Sequence, residues 1–194
     1  MGFWDAVTGR TRVTKNNLDS LFAVPAAAIT LQTAAGLNPT GTGSVCFRSA
    51  AGAAFAQTRD EAVQLIKAGT PDGMQAPEVE VSDDGFGFTW LVVHRSPDDV
   101  AGLCTDLHAV NTSLEMQGFA SGLLCSVIPF ADVSGRHVGL VYLYKQGTFY
   151  AFAPTGDQKR DNLLEISVRD QLAGELPMET DLSRWFALWG APGL

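Results

Sequence analysis

The sequence predicts an α+β fold: a mainly antiparallel sheet, built from one hairpin and a three-stranded meander, with helices packed on a face. Three observations carry the prediction. Runs rich in Val, Leu, Tyr and Phe are joined at Asp83-Asp84-Gly85, Ser134-Gly135 and Gln146-Gly147, which are tight-turn signals of hairpins rather than of long crossovers. Helical stretches stand apart from these runs, each with its own start or stop signal. Finally, 194 residues at 46% hydrophobic and 18% charged supply one continuous core, so a single domain is expected over 17–194.

Residues 1–16 form a distinct amphipathic segment in which Phe3, Trp4 and Val7 accompany Arg10, Arg12 and Lys15. Its positive charge suits an anionic membrane surface touched by Phe3 and Trp4; docking of those aromatics on the core is the plainer alternative. Val24 to Gly36 reads as a short helix with Pro25 in its first turn and Gly36 past its end. Asn38 to Phe47 is a turn leading into a strand. Thr58-Arg-Asp-Glu61 has capping-box spacing, so a helix of about ten residues should follow it, with Val63, Leu65 and Ile66 among its buried positions and Gly69 at its end. Gly69 to Pro77 is expected to be the most flexible internal stretch.

The strands Val79 to Ser82 and Phe86 to His94 flank the Asp-Gly turn. Ser96-Pro-Asp-Asp99 then reads as a helix start, with Pro97 at the first helical position. Val100, Leu103, Leu107, Val110 and Leu114 recur every three or four residues and define one buried stripe ending before Gly118. Leu123 to Ala131, Arg136 to Lys145 and Thr148 to Ala153 form the meander, in which Pro129 marks an edge or a bulge. Asn162 with Glu165 has capping-box spacing for a last helix running to Gly174, and a terminal turn carries Trp185, Phe186 and Trp189.

Thirteen basic against 21 acidic side chains give a net charge of −8, which repels polyanions and argues against nucleic acid as a partner. Cys46, Cys104 and Cys125 lie in apolar contexts and are odd in number, which fits buried thiols in a reducing compartment such as the cytoplasm. No apolar run approaches the roughly 20 residues that span a bilayer, and no secretory signal pattern opens the chain.

Motifs for catalysis are sparse. Asn38 to Phe47 and Ala153 to Asn162 are Gly-containing turns, but neither ends in the Gly-Lys-Ser/Thr of a phosphate loop. Nucleophile-elbow, zincin and dinucleotide-binding signatures are absent, and no cofactor or metal is implied. Cys104 and His108 are four apart on one helix, which suits a thiolate–imidazole pair and makes a small cytoplasmic enzyme one alternative. Zinc is disfavoured because no second Cys/His pair stands at metal spacing. Asn111, beside the apolar stripe, is expected to be buried and hydrogen-bonded.

Several long strings are specific: TWLVV (Thr89 to Val93), DLHAVN (Asp106 to Asn111), LVYLYKQGTFYAFAP (Leu140 to Pro154), Arg160-Asp-Asn162 and RWFALWGAPGL (Arg184 to Leu194). With the opening MGFWDAVTGR and the LDSLFAVPAAAITLQTAAGL segment, they resemble the PspA-associated protein PspAB family of actinobacteria and archaea over nearly the whole chain. Ala151 departs from that pattern at a position where proline is common. The resemblance implies an association with the phage-shock protein PspA, a coiled-coil protein that remodels stressed membranes, or with a membrane metalloprotease.

An accessory or adaptor protein acting by protein binding in membrane-stress response is therefore expected, without catalytic residues, in the cytoplasm or at the inner face of the membrane. Its candidate contacts are Lys159, Arg160 and Asp161 in the charged loop, and Arg184, Trp185 and Trp189 in the tail, the Trp and Arg residues being types enriched in binding hot spots. Packing of the tail aromatics onto the body is the competing assignment. A homodimer whose exposed sheet binds peptides, like a secretion chaperone, is a further alternative resting on fold analogy.

Overall fold

Alternation along the strands decides the architecture. In β4 (Phe88–His94), Leu91 and Val93 point to one face, while Trp90 and Val92 point to the other. All four are buried, as is nearly every residue of β2 (Thr42–Arg48), β5 (Leu123–Ala131), β6 (His137–Leu143) and β7 (Thr148–Phe152). Strands buried on both sides need two covering layers.

The computed structural model describes residues 17–48, 53–69, 76–84 and 87–194, with the side chains of 53–55 outside that set. Its helices are α1 (Val24–Ala35), α2 (Ala53–Ala68), α3 (Val100–Met116) and α4 (Asn162–Leu172). A 3-10 turn, Leu18–Ala23, leads directly into α1. With β3 (Glu78–Asp83), the main strands form an antiparallel sheet in the order β3-β4-β2-β5-β6-β7, and β1 (Asn38–Pro39), pairing with β5, makes it seven-stranded. The α+β single-domain expectation holds, including the hairpin and the meander. Phe3, Trp4 and the rest of segment 1–16 lie outside the described residues, as do 70–75 of the expected flexible stretch and 85–86 of the hairpin turn.

On the first face, α3 lies across β2, β4 and β5, with α1, α2 and α4 packed around it and β7. The stripe read from sequence is the seam: Leu103, Leu107, Val110 and Leu114 are buried. Asn111 fills its expected role, donating through Nδ2 to the Leu107 carbonyl at 2.7 Å and to Ser126 Oγ at 2.9 Å, which ties α3 to β5. Contrary to the expectation that no apolar run approaches a bilayer span, the segment Leu18–Ala35 reaches a mean hydropathy of 1.3 over 18 residues, enough by length and composition to cross one. Leu18, Leu21, Val24, Ala27, Ala28 and Leu31 nevertheless bury that segment's inner side in the core.

The second face is covered by an irregular C-terminal tail, which the turn expected there did not foreshadow. Residues 177–179 run beside β7, where the Phe149 amide donates to the Pro177 carbonyl and the Glu179 amide to the Phe149 carbonyl. After a 3-10 turn, Leu182–Arg184, the chain lays Trp185 and Ala191 on Val127, Val141, Tyr150 and Phe152. Gly139 makes room for the terminus: a Cβ there would lie 2.7 Å from Leu194 Cδ1.

Helix starts differ from expectation in instructive ways. Thr58 is buried inside α2, because Ala53, Ala54 and Ala56 are strong helix formers that carry the helix five residues further upstream. Glu61 accepts from Gln57 rather than reaching back to a cap, and Leu65 is exposed whereas Ala62 and Ile66 are buried. Pro97 precedes α3 instead of opening it. The cap is Asp99, whose Oδ1 accepts from the Gly102 amide while Oδ2 binds Arg95 at 2.8 Å. Asp161, not Asn162, caps α4, which ends at Leu172 rather than at Gly174. Pro129 sits in a central strand, and the irregularity falls on its neighbour: β1 and β2 break at Thr40 and Gly41, where Pro129 presents only its carbonyl to the Thr40 amide.

Candidate functional site

Between the second face of the sheet and the tail lies a groove of about 700 Å³. Its floor is a single cross-strand row, in which Trp90 pairs with Cys46, Cys46 with Cys125, and Cys125 with Leu143. Phe88 and Arg48 stand opposite each other one pleat further along. Tyr150 and Leu124 complete the sheet side, and Phe186, Leu188 and Trp189 form the tail wall. A β-bulge shapes this end: between Cys125 and Leu123 the strand β5 spends an extra residue, Leu124, so Leu123 turns into the helical core.

Polar groups hold the tail in place. Tyr150 Oη donates to the Phe186 carbonyl at 2.8 Å, and Trp185 Nε1 to the Glu179 carbonyl at 3.2 Å. Arg160 is the centre of this arrangement. Its Nε meets both oxygens of the buried Glu165 at 2.8 and 2.9 Å, its Nη1 donates to the Trp185 carbonyl at 2.8 Å, and its guanidinium lies over the Phe152 ring. Glu165 also accepts from the Ala153 amide, and Trp189 meets Phe152 edge-on. Glu179 is placed likewise: burial opposes its charge, but the Asp181 amide, the Thr148 hydroxyl and Arg184 hold its carboxyl below the usual range.

The charged loop is a tight hairpin of β8 (Pro154–Gly156) and β9 (Lys159–Arg160). Asp157 and Gln158 form its tip with φ of 49° and 55°, a left-handed conformation costing non-glycine residues roughly 1–2 kcal/mol each. Of the three loop residues singled out from sequence, Lys159 faces solvent, Arg160 turns inward and Asp161 caps α4. In the tail, Trp185 is buried, Arg184 pairs with Glu179 and Asp181, and Trp189 is 38% exposed beside Phe186 at 58% and Leu182 at 55%. The structure thus brings loop and tail together around one groove, but divides their residues between support and display.

The cysteines fall into two environments, all three buried and free. Burial pushes the Cys104 thiol up to about 12, away from the thiolate a nucleophile requires. His108 packs on Phe22 with its ring 4.8 Å away, and its Nε2 is 3.5 Å from Asp19, so no bond joins it to Cys104. Cys125 is held well above the ordinary thiol value by its hydrogen bond with Cys46 and by burial. Sequence reasoning missed the groove because its lining comes from six separated segments; the Cys46–Cys125 pairing depends on register alone. Among the described residues, no group of three or more His, Cys, Asp or Glu is placed to hold a metal.

These features define an α+β protein whose sheet carries helices on one face and an aromatic tail with an apolar groove on the other. Its sequence matches the family model of PspA associated protein B over residues 1–193. The chain belongs to that family. No curated protein and no solved structure matches it.

Proposed function

We propose that the chain is a non-catalytic accessory or adaptor protein of a PspA membrane-stress system, acting by binding protein. The family description names the association. The observation that carries the mode is the display of Leu182, Phe186 and Trp189 on a tail whose backbone is clamped from beneath. Exposed aromatics on a fixed backbone lose little entropy on binding, which is the property of an anchor. Lys159 borders this surface and supplies positive charge toward acidic residues of a coiled-coil partner, with Arg184 beside it paired to Glu179 and Asp181, whereas Arg160, Asp161 and Trp185 hold the surface in shape. The partner is a PspA-type protein, with a membrane protease as the second partner class, and the site of action is the cytoplasm at the inner membrane face.

The enzyme alternative gains no support from Cys104, whose thiol is protonated and enclosed. Replacing Trp189 by Ala removes the anchor together with its edge contact on the buried Phe152. Capture of purified PspA by the tagged variant should fall about tenfold or more while the variant stays folded; undiminished capture by a folded variant overturns the tail-contact reading.

A further inference from the structure

We propose that the groove under the tail takes one single-chain amphiphile with an anionic head, a fatty carboxylate or a lysophosphatidate. The acyl chain lies over Trp90, Cys46, Cys125 and Leu143, and the head sits at Arg48 and Lys145. This site shares Phe186 and Trp189 with the outward surface proposed for the protein partner and takes the rest of its lining from the sheet and its turns.

Size and lining point to a small apolar ligand. The groove's 700 Å³ lies within the roughly 300–1,000 Å³ of small-molecule pockets, which are apolar and aromatic with a few polar groups at fixed places. A peptide would bring backbone amides and carbonyls that need partners, and the aromatic and aliphatic walls supply few. A hydrocarbon chain needs none.

The rim decides the sign of the head. Arg48 stands two residues beyond Cys46 on β2, so the pleat sends both side chains to the same face, and Lys145, in the turn that follows β6, lines the same groove at the end where β2 and β6 stop. Every other described arginine pairs with a carboxylate: Arg59, Arg95, Arg136, Arg160, Arg169 and Arg184. Among the described residues neither Arg48 nor Lys145 has an acidic partner, although the chain carries a net charge of −8. The one carboxylate on the lining, Asp84, already accepts from the Phe88 amide at 3.2 Å and from Trp90 Nε1 at 3.4 Å. Two unpaired cations at the mouth of an apolar groove therefore complement a single anionic head, and the Gln146 and Gln158 amides add hydrogen-bond donors beside them.

The test uses the purified full chain with a dansylated fatty acid as the reporter. Laurate and lauroyl-lysophosphatidate should displace it saturably, with one ligand per chain, and whichever competes more strongly identifies the source of the head. Dodecanol and dodecyltrimethylammonium should compete about tenfold less well. The R48E/K145E double variant changes only exposed side chains, so it should melt as the parent does and bind laurate about tenfold more weakly. The proposal is overturned by absence of saturable displacement below the micelle concentration, by equal competition from the neutral and cationic analogues, or by unweakened binding to the double variant. None of these readouts involves PspA, so the outcome is independent of the partner assignment.

Discussion

Cys104 shows how a single residue's environment decides its chemistry. Its spacing from His108 suits a nucleophile pair, yet the thiol faces the helical core and burial raises it from the ordinary 9.0 to about 12. The sign of the resulting pH effect follows directly. Between about pH 9 and pH 12 the unfolded chain loses a proton that the folded chain keeps, so stability present below that window declines as pH rises through it. Cys125 and the buried Tyr142, itself raised to about 12 by desolvation, act in the same direction. The urea midpoint should therefore be steady near neutrality and fall from about pH 9 upward; a flat profile contradicts it. Labelling of Cys104 should be slow in the native protein and fast in denaturant, and rapid native labelling at neutral pH would restore the enzyme alternative.

At the scale of elements, the Arg160–Glu165 pair joins the loop hairpin, α4, the end of β7 and the tail. Glu165→Leu leaves the Arg160 charge and the Ala153 amide uncompensated inside the fold. It should cost about 3–5 kcal/mol in urea unfolding, the range for breaking one partner of a buried pair, and a change within 1 kcal/mol of the parent, on the scale of a surface pair, would show the node to be dispensable. The same elements show what sequence discloses. The stripe of α3 and the alternating strands were legible because hydrophobic periodicity reports burial over many residues at once. The caps of α3 and α4 were displaced by three residues and by one because Ser96, Asp98 and Asp99, or Asp161 and Asn162, are near neighbours equally able to cap. Arg95 selects Asp99 by binding it, and that contact comes from a strand end which local sequence does not announce. Glu165 occupied the capping-box position yet serves Arg160, since burial changed its partner.

For the whole molecule, the sheet's two faces were unequally readable. Helices covering one face followed from their own patterns, whereas the tail that covers the other has no periodicity, only aromatic content and a family-specific string. Loop and tail were both singled out from sequence, and the fold places them on one groove; their division into supports such as Arg160 and Trp185 and exposed groups such as Lys159 and Trp189 required the tertiary contacts. The central claim is that this surface joins the chain to a PspA-type partner. The most direct measurement is co-purification of the tagged chain from its native cells under envelope stress, read by mass spectrometry beside the Trp189→Ala variant. The account predicts a PspA-type coiled-coil protein enriched with the parent and depleted with the variant. Equal recovery of that protein with both, or its absence from the parent sample while other proteins are captured, would contradict it.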